Sequence, residues 1–409
     1  MGLIGLMGLI GLMGLIGLMG LVSCSDDREA PRQELSIEAS VSAVPFEERS
    51  DSRSVTRSWT PPASYYLYDD LYDPGVHYQT LQDKAIDAYF TSVGLYNPSD
   101  PNYNSQYDPL HGRLRKKSDG TWKQSLSVEP DDVKGGDYYV YGLIPREAAD
   151  NLSIAQLEAE DPEDPPTYAD GAVLTIQGLQ TVGYDACAII GAKEGPDADH
   201  DNGLRAGDFS FQLNTGESAT NYLYLLFDHL CSALCIGMRV DGEYDLLRTI
   251  KLKELRLQTA DSEGTTKKKM DVTVTLRANG TGANPISSVV FTPTGTEECD
   301  GVIYNSDDGL TLTTAYSMLL GHFIPHGVTK LILTSTYDVY DKNVTTEHPE
   351  GNLIRNDCKA TNTIPLSVID RFSEASRGTR YTINMTIKPT YLYMLSDPDL
   401  NNPSVEFEN

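Results

Sequence analysis

Residues 222–258 read YLYLLFDHLCSALCIGMRVDGEYDLLRTIKLKELRLQ, and this stretch indicates the fold class. From Leu230 to Val240, large apolar side chains alternate with small or polar ones. A period of two is typical of a β-strand that turns one face towards a core. A helix over Asp228–Cys235 is the alternative, because short apolar runs fit both periods.

The second half of the stretch predicts a turn followed by a kinked strand. Asp241-Gly242 is a turn signal. The apolar positions then change phase between residues 250–252 and residues 255–257. Because a slip of one residue would turn the core face outward, we expect a β-bulge near Lys253-Glu254. Two long strands of this kind need a second sheet to cover them.

The same alternation recurs along the chain and is interrupted by turn residues. The runs lie at Trp122–Val128, Asp137–Ile144, Ala172–Gln177 and at residues 209–213, 270–276, 289–291, 331–339, 363–366 and 381–387. Short strands separated by turn signals are typical of an all-β protein. Thr259–Lys269 contains Gly264 and consecutive lysines, and we interpret it as a linker between two β domains.

The N-terminal residues have the pattern of an export signal with a lipid anchor. Residues 2–19 are three copies of Gly-Leu-Ile-Gly-Leu-Met, and no charge precedes Asp26. Leu21-Val22-Ser23-Cys24 matches a bacterial lipobox, so cleavage before Cys24 and lipidation of that residue are predicted. The acidic Ser25-Asp26-Asp27 resembles a surface-export signal. A transmembrane anchor is the alternative, although no basic flank follows the apolar run.

The charge of the chain excludes one class of partner. The 409 residues have a net charge of −27. Nucleic-acid binding needs clustered Lys and Arg, so we expect no nucleic-acid partner. The acidity favours solubility at a cell surface.

Residues 24–57 form a leader with one strand and one basic loop. Glu34–Ser42 alternates with a two-residue period, which predicts a half-buried strand. Its apolar face consists of Leu35, Ile37, Ala39 and Val41. The polar loop at residues 45–58 contains Arg49, Arg53 and Arg57. An exposed basic loop suits an Arg-specific protease, with cleavage after Arg57 favoured, whereas a plain linker is the alternative.

No arrangement of residues singles out an active site, so we predict no catalytic residue, no metal site and no cofactor. Five of the six cysteines follow Cys24, and this odd number favours buried thiols over a disulfide framework. The Asp-rich residues 197–203 depart from a calcium loop, and a helix that would aim His322 and His326 at one metal is disfavoured by Gly321 and Pro325.

Several short motifs resemble those of the Bacteroidales-type fimbrillin family. Phe227, His229, Leu230 and Leu234 form a Phe-x-His-Leu-x-x-x-Leu run that leads into an apolar strand. The strand at residues 174–178 precedes Tyr184-Asp185-Ala186, and residues 390–403 resemble a fimbrillin tail. The resemblance implies two transthyretin-like Greek-key β-sandwiches in tandem. The predicted divisions are a signal peptide at 1–23, the leader at 24–57, and sandwiches at 58–258 and 259–409.

The resemblance further implies a structural, adhesive fimbrial subunit at the outer membrane, and not an enzyme. A protease would remove the leader, and a C-terminal strand of the next subunit would fill the exposed groove. The expected partners are other fimbrial subunits, the protease, outer-membrane lipid through Cys24, and a surface ligand on a host or bacterium. The candidate donor residues are Tyr381, Ile383, Met385 and Ile387, or else the tail from Pro389.

Two other functions are compatible with the sequence. One is a monomeric surface lipoprotein that binds glycan through the Tyr-rich residues 65–107. The other is a hydrolase built on a β-sandwich, since carboxylates are abundant. The fold alone does not separate these functions.

Overall fold

The computed structural model describes most of the chain after its first 32 residues. The described residues are 33–44, 46–49, 66–67, 85–92, 110–117, 122–128, 135–158, 168–180, 184–195, 203–215, 219–278, 282–319, 323–325, 327–343, 345–347, 349, 351–370, 375–391 and 398–408.

The chain is nearly all β, as predicted. The first strands are β1 (Gln33–Ala43), β2 (Glu47–Arg49), β3 (Tyr66–Leu67), β4 (Ala85–Ser92), β5 (Leu110–Lys116), β6 (Trp122–Val128), β7 (Gly136–Ile144), β8 (Asn151–Glu158), β9 (Tyr168–Gln180), β10 (Cys187–Glu194), β11 (Ser210–Leu213) and β12 (Thr220–His229). They are followed by β13 (Ser232–Val240), α1 (Gly242–Asp245), β14 (Arg248–Ala260), β15 (Lys267–Arg277), β16 (Ile286–Glu298), β17 (Gly301–Leu312), β18 (Ser317–Leu319), β19 (Phe323–Ile324), β20 (Lys330–Asp341), β21 (Leu353–Pro365), α2 (Leu366–Asp370), β22 (Thr379–Tyr391) and β23 (Pro398–Glu408).

Four sheets enclose two hydrophobic cores. Sheet 1 has the order β10-β12-β1-β6-β5-β4-β7-β11, and β7 also pairs with β10, which closes the path on itself. Sheet 2 has the order β16-β15-β9-β8 and packs its apolar face into the same first core. Sheet 3 (β18-β13-β22-β2, with β19 and β23) and sheet 4 (β17-β14-β20-β21) form the second core. That these sheets are tandem Greek-key, transthyretin-like sandwiches stays a prediction.

Residues 222–258, whose pattern indicated the fold class, pass from the first core to the second. β12 ends at His229 in sheet 1, and β13 begins at Ser232 in sheet 3. No helix forms over Asp228–Cys235, where the chain bends and then extends again. The predicted turn is a short helix, α1, in which Asp241 accepts hydrogen bonds from the backbone of Glu243 and Tyr244.

The predicted β-bulge is confirmed. The pairing of β14 with both β17 and β20 shifts register between Leu252 and Glu254. This shift keeps Ile250, Leu252, Leu255 and Leu257 buried in the second core. A bulge restores the inward face after a change of phase, as the sequence required.

The strands of the two cores are not separated at residue 258, where the boundary between the two sandwiches was predicted. β15 and β16 follow that position in the sequence, yet β15 pairs with β9 and β16 pairs with β15, in the sheet that covers the first core. The predicted linker is a tight turn, with Thr259 and Thr266 buried and joined through their hydroxyl groups. Alternation reveals that a run is a strand, but it does not reveal which strand the run pairs with, so this crossover was missed.

Each of the five described cysteines is buried as a thiol outside any disulfide bond, as predicted. Among the described residues, no helix has the length and apolar character needed to cross a membrane.

Candidate functional site

The leader strand β1 lies in the interior of sheet 1. It runs parallel to β12 from Ser36 to Ala43 and antiparallel to β6 from Gln33 to Ala39. Both edges of its backbone are therefore used by neighbouring strands. Leu35, one of the predicted exchange residues, pairs with Leu126 of β6.

The two faces of β1 differ as the alternation predicted. Ile37, Ala39 and Val41 are buried in the first core. The opposite face is half-buried and polar: the hydroxyl groups of Ser40 and Tyr222 are 2.6 Å apart, and Lys123 pairs with Glu38 over 2.6 Å. The strand therefore fills an apolar slot and covers it with a polar outer face.

The chain that follows β1 is held by the end of β12. Val44 donates its backbone N–H to the carbonyl of Phe227 over 2.9 Å. The carbonyl of Val44 accepts from Nε2 of His229 over 2.7 Å. The ring of Phe46 stacks on the imidazole of His229, with ring centroids 3.6 Å apart. His229 thus fastens the leader at the point where the chain leaves sheet 1.

The leader also contacts the second core. β2 pairs in parallel with Thr379–Tyr381 of β22, and Glu47 donates its N–H to the carbonyl of Gly378 over 2.8 Å. The guanidinium of Arg380 lies 5.7 Å from the centre of the Phe46 ring. One short segment of chain therefore connects sheet 1 to sheet 3.

The first C-terminal candidate for the exchanged strand, β22, is an interior strand of sheet 3. It pairs with β13 on one side and with β2 and β23 on the other. Its predicted residues are all buried in the second core: Tyr381, Ile383, Met385 and Ile387.

The last strand, β23, makes fewer contacts with the rest of the fold than β22 does. Among the described strands it pairs with β22 alone. Val405 is buried, Phe407 is half-buried, and the carbonyl of Val405 accepts from the side-chain amide of Asn362 over 2.6 Å. An exposed ion pair of 2.7 Å joins Lys388 to Glu406.

A cluster of three polar side chains lies at the junction where the leader is fastened. Cys187 and His229 are directly paired residues of β10 and β12. Asp185 precedes Cys187 by two residues, so extended backbone directs both side chains to one face. Nδ1 of His229 is 2.9 and 3.0 Å from the two carboxylate oxygens of Asp185, and 3.3 Å from Sγ of Cys187.

The cluster is sealed from solvent. The exposed fractions are 0% for Cys187 and His229 and 3% for Asp185. Burial, and then the nearby carboxylates of Asp185 and Asp228, raises the pKa of the Cys187 thiol well above its ordinary value. The free thiol is therefore protonated at neutral pH.

The cluster does not have the geometry of a catalytic triad, in which a nucleophile contacts a base and the base contacts an orienting carboxylate. In such a relay, the two ring nitrogens of the histidine contact different partners. Here Nδ1 of His229 faces both the thiol and the carboxylate, while Nε2 is used by Val44. This arrangement argues for binding or bracing and against acyl transfer.

A second buried carboxylate adjoins the cluster and has its own partners. Asp228 pairs with Arg377 over 2.5 Å and accepts from the side-chain amide of Asn284 over 2.6 Å. Its other oxygen accepts the backbone N–H of His229 over 2.9 Å. This network fixes the backbone on which His229 stands.

Several predicted sites lie outside the described residues. They are Cys24, Arg53 and Arg57, and the residues rejected above as metal ligands, 197–202, His322 and His326, lie outside them as well. Arg49 ends β2. Most of the Tyr-rich region is also outside, but Tyr89 is described: its ring stacks on His111 and its hydroxyl donates to the carbonyl of Leu152 over 2.6 Å. Both the ring and the hydroxyl of Tyr89 therefore make contacts within the fold.

The cluster itself was not predicted from the sequence. His229 and Asp185 belong to two separate motifs, and Cys187 was expected to be an ordinary buried thiol. The Asp-x-Cys spacing was visible, but the pairing of Cys187 with His229 joins residues far apart in the chain.

Comparison with known proteins gives matches among solved structures alone. No protein-family model matches the chain, and no curated protein matches it. A candidate cell adhesion protein from Bacteroides fragilis is 10% identical, with 91% of this chain and 97% of that one covered and a TM-score of 0.39. A fimbrial protein from Bacteroides vulgatus is 13% identical, with coverage of 91% and 98% and a TM-score of 0.33.

The fimbrial anchor protein of Porphyromonas gingivalis is 9% identical, with 90% of this chain and 95% of that one covered and a TM-score of 0.26. The solved structures similar to this chain thus include Bacteroidales cell adhesion and fimbrial proteins.

Proposed function

We propose that the chain is a structural, adhesive subunit of a cell-surface fimbria, exported as a lipoprotein and assembled by protease-triggered strand exchange. The observation that carries the proposal is the position of β1, which lies between β12 and β6 with its apolar face in the first core. Removal of a leader that forms an interior strand would open an acceptor groove in the sheet that it leaves.

Loss of β1 would leave an open slot in sheet 1. The backbone groups of β12 and β6 that now pair with β1 would lose their partners. The slot that now holds Ile37, Ala39 and Val41 would face water. Each large apolar side chain contributes about 1.5–3 kcal/mol when buried, so a replacement strand would bind with a substantial gain.

Cleavage after Arg57, or after Arg53 or Arg49, would separate β1 and β2 from the rest of the chain. The released piece would take with it the partners of His229, namely the carbonyl of Val44 and the ring of Phe46. The proposal therefore requires an Arg-specific protease as a partner of the folded subunit.

The replacement strand is better supplied by β23 than by β22. Removing β22 would expose four large buried side chains and split sheet 3 between β13 and β23. Removing β23 would expose Val405 and part of Phe407 at a single edge. Because the cost of release scales with the apolar area exposed, the tail from Pro398 is the donor.

Lipid attached to Cys24 would hold the precursor at the outer membrane until the leader is cut. Assembled subunits would contact one another through sheet 1 of one copy and β23 of the next. A ligand on a host or bacterial surface would then be bound by the filament.

The proposal is tested by controlled cleavage of the purified protein. An Arg-specific protease should release the leader, with a new N-terminus at Ser58, and the product should form filaments in electron micrographs. A variant in which Arg49, Arg53 and Arg57 are replaced by Ala should stay monomeric. A chain that lacks residues 392–409 should be cleaved normally yet form no filaments. Filaments from either variant would overturn the strand-exchange model.

A further inference from the structure

The buried cluster of Asp185, Cys187 and His229 brings together three kinds of donor atom. A carboxylate oxygen, a sulfur and an imidazole nitrogen lie within 4.8 Å of one another. All three side chains are turned inward from β10, from the segment before it, and from β12. The β-ladder therefore fixes their spacing before any ligand arrives.

The contact with Val44 sets the state of the imidazole. A carbonyl oxygen only accepts hydrogen bonds, so Nε2 of His229 must carry the proton in the 2.7 Å contact with Val44. In the neutral ring this leaves the lone pair on Nδ1, which points at Cys187 and Asp185. A histidine that binds metal through one nitrogen and donates from the other to a backbone carbonyl is a common arrangement.

The hydrogen bonds around Nδ1 of His229 depend on whether this nitrogen carries a proton. A bare Nδ1 can accept the thiol proton, but it then repels the carboxylate. A protonated Nδ1 can donate to the carboxylate of Asp185, and the thiol of Cys187 can then donate to the side chain of Asp185 or to its backbone carbonyl, 3.7 Å from the sulfur. A cation placed among the three atoms attracts all of them at once.

The donor set selects the kind of cation. Calcium and magnesium prefer shells made of oxygen atoms, whereas zinc binds thiolate, imidazole and carboxylate together. Both carboxylate oxygens of Asp185 face Nδ1 at nearly equal distances, so the carboxylate can occupy two positions of a four-coordinate shell. The charges also balance, since one thiolate and one carboxylate neutralise a divalent ion.

We propose that Asp185, Cys187 and His229 form a zinc site beneath the leader. Sγ of Cys187, Nδ1 of His229 and the carboxylate of Asp185 bind the ion, and Val44 orients the imidazole. The thiol loses its proton to solvent as the zinc–sulfur bond forms, so no oxidant or reductant is needed. The three ligands lie outside the leader, whereas Val44, which orients the imidazole, belongs to it.

The test begins with the full chain, freed of metal by a chelator and then titrated with zinc against a chromophoric competitor. One zinc per chain should bind. Cobalt in place of zinc should give a sulfur-to-metal charge-transfer band. Cys187→Ser should abolish that band and weaken zinc binding by more than about 100-fold, because it removes a direct ligand.

The matched control is Cys231→Ser. Cys231 is also buried and stands two residues after His229, but it is not part of the cluster. This variant should keep the cobalt band and bind zinc within about twofold of the unaltered chain. Equal loss in both variants, or no stoichiometric binding to the unaltered chain, would overturn the proposal.

A second measurement needs no variant and covers the case in which Cys187→Ser does not fold. The unaltered chain is treated with a thiol alkylating reagent at moderate urea, with and without zinc, and the modified peptides are mapped by mass spectrometry. Zinc should slow modification of Cys187 relative to Cys358, which lies in the second core. Equal modification rates with and without zinc would contradict the site.

Discussion

His229 donates from Nε2 to the carbonyl of Val44 over 2.7 Å, and so the end of β12 holds the end of the leader strand. The two residues are far apart in the sequence, and both are buried. The stacking of Phe46 on the same imidazole closes the junction from outside. A single side chain therefore contributes to the retention of the leader.

Replacing His229 with Leu should destabilise the folded chain. The carbonyl of Val44 would stay buried without this donor, and the stacked contact with Phe46 would be lost, so we expect a cost of about 2–4 kcal/mol. Urea unfolding in the presence of a chelator measures this free energy without a contribution from bound metal. Ser40→Ala removes a hydrogen bond on the outer face of β1 and should cost no more than about 1.5 kcal/mol. Equal costs would contradict a special role for His229.

Neighbouring positions of β23 should differ in their effect on assembly. Val405 is buried against the second core, whereas Glu406 is exposed. Val405→Asp should prevent filament formation after leader cleavage, because a charge would have to enter the apolar slot. Glu406→Ala should assemble at a normal rate. Light scattering after addition of the protease compares the two, and normal assembly of Val405→Asp would exclude β23 as the donor.

Cys24→Ala should abolish lipid attachment. The lipobox ends at this residue, and its thiol is the predicted attachment point. Metabolic labelling with a fatty-acid analogue should mark the unaltered protein and leave the variant as an unlabelled precursor. Cys299→Ala is the control, since Cys299 is buried and should have no part in export. Labelling of the Cys24 variant would disprove the lipoprotein prediction.

Tyr337 should make the fold sensitive to alkaline pH. Burial raises the pKa of its hydroxyl above the ordinary value of 10.0. The unfolded chain therefore loses this proton first as the pH rises above about 10, and stability falls by up to about 1.4 kcal/mol per pH unit until the folded pKa is reached.

Tyr337→Phe removes this contribution. The difference in unfolding free energy between the two proteins should be constant from neutral pH to about pH 9 and should then shift in favour of the variant. Urea unfolding across this range measures the difference. A constant difference through pH 11 would show that Tyr337 does not titrate in this way.

The sequence predicted features that depend on neighbouring residues. The phase change around Lys253 located the bulge in β14, because a buried strand cannot slip by one residue without exposing its apolar face. The alternation of Ile37, Ala39 and Val41 predicted the buried face of β1. In both cases a local period records which side of the strand faces the core.

The features that the sequence did not predict depend on pairing between distant strands. Nothing in the alternation of β15 indicates that it returns to β9. The meeting of Asp185 and Cys187 with His229 likewise requires the register of β10 on β12. Cross-strand register follows from the whole packing, so a single run of residues does not contain it.

The return of β15 to the first core has a mechanical consequence. Beyond the leader, the chain passes between the two cores after β12, after β14 and again after β16. A tensile load applied across the molecule is therefore shared by several covalent strands instead of being borne by one hinge. Neither core can separate from the other without strain on these connections, so under force we expect the two cores to unfold together.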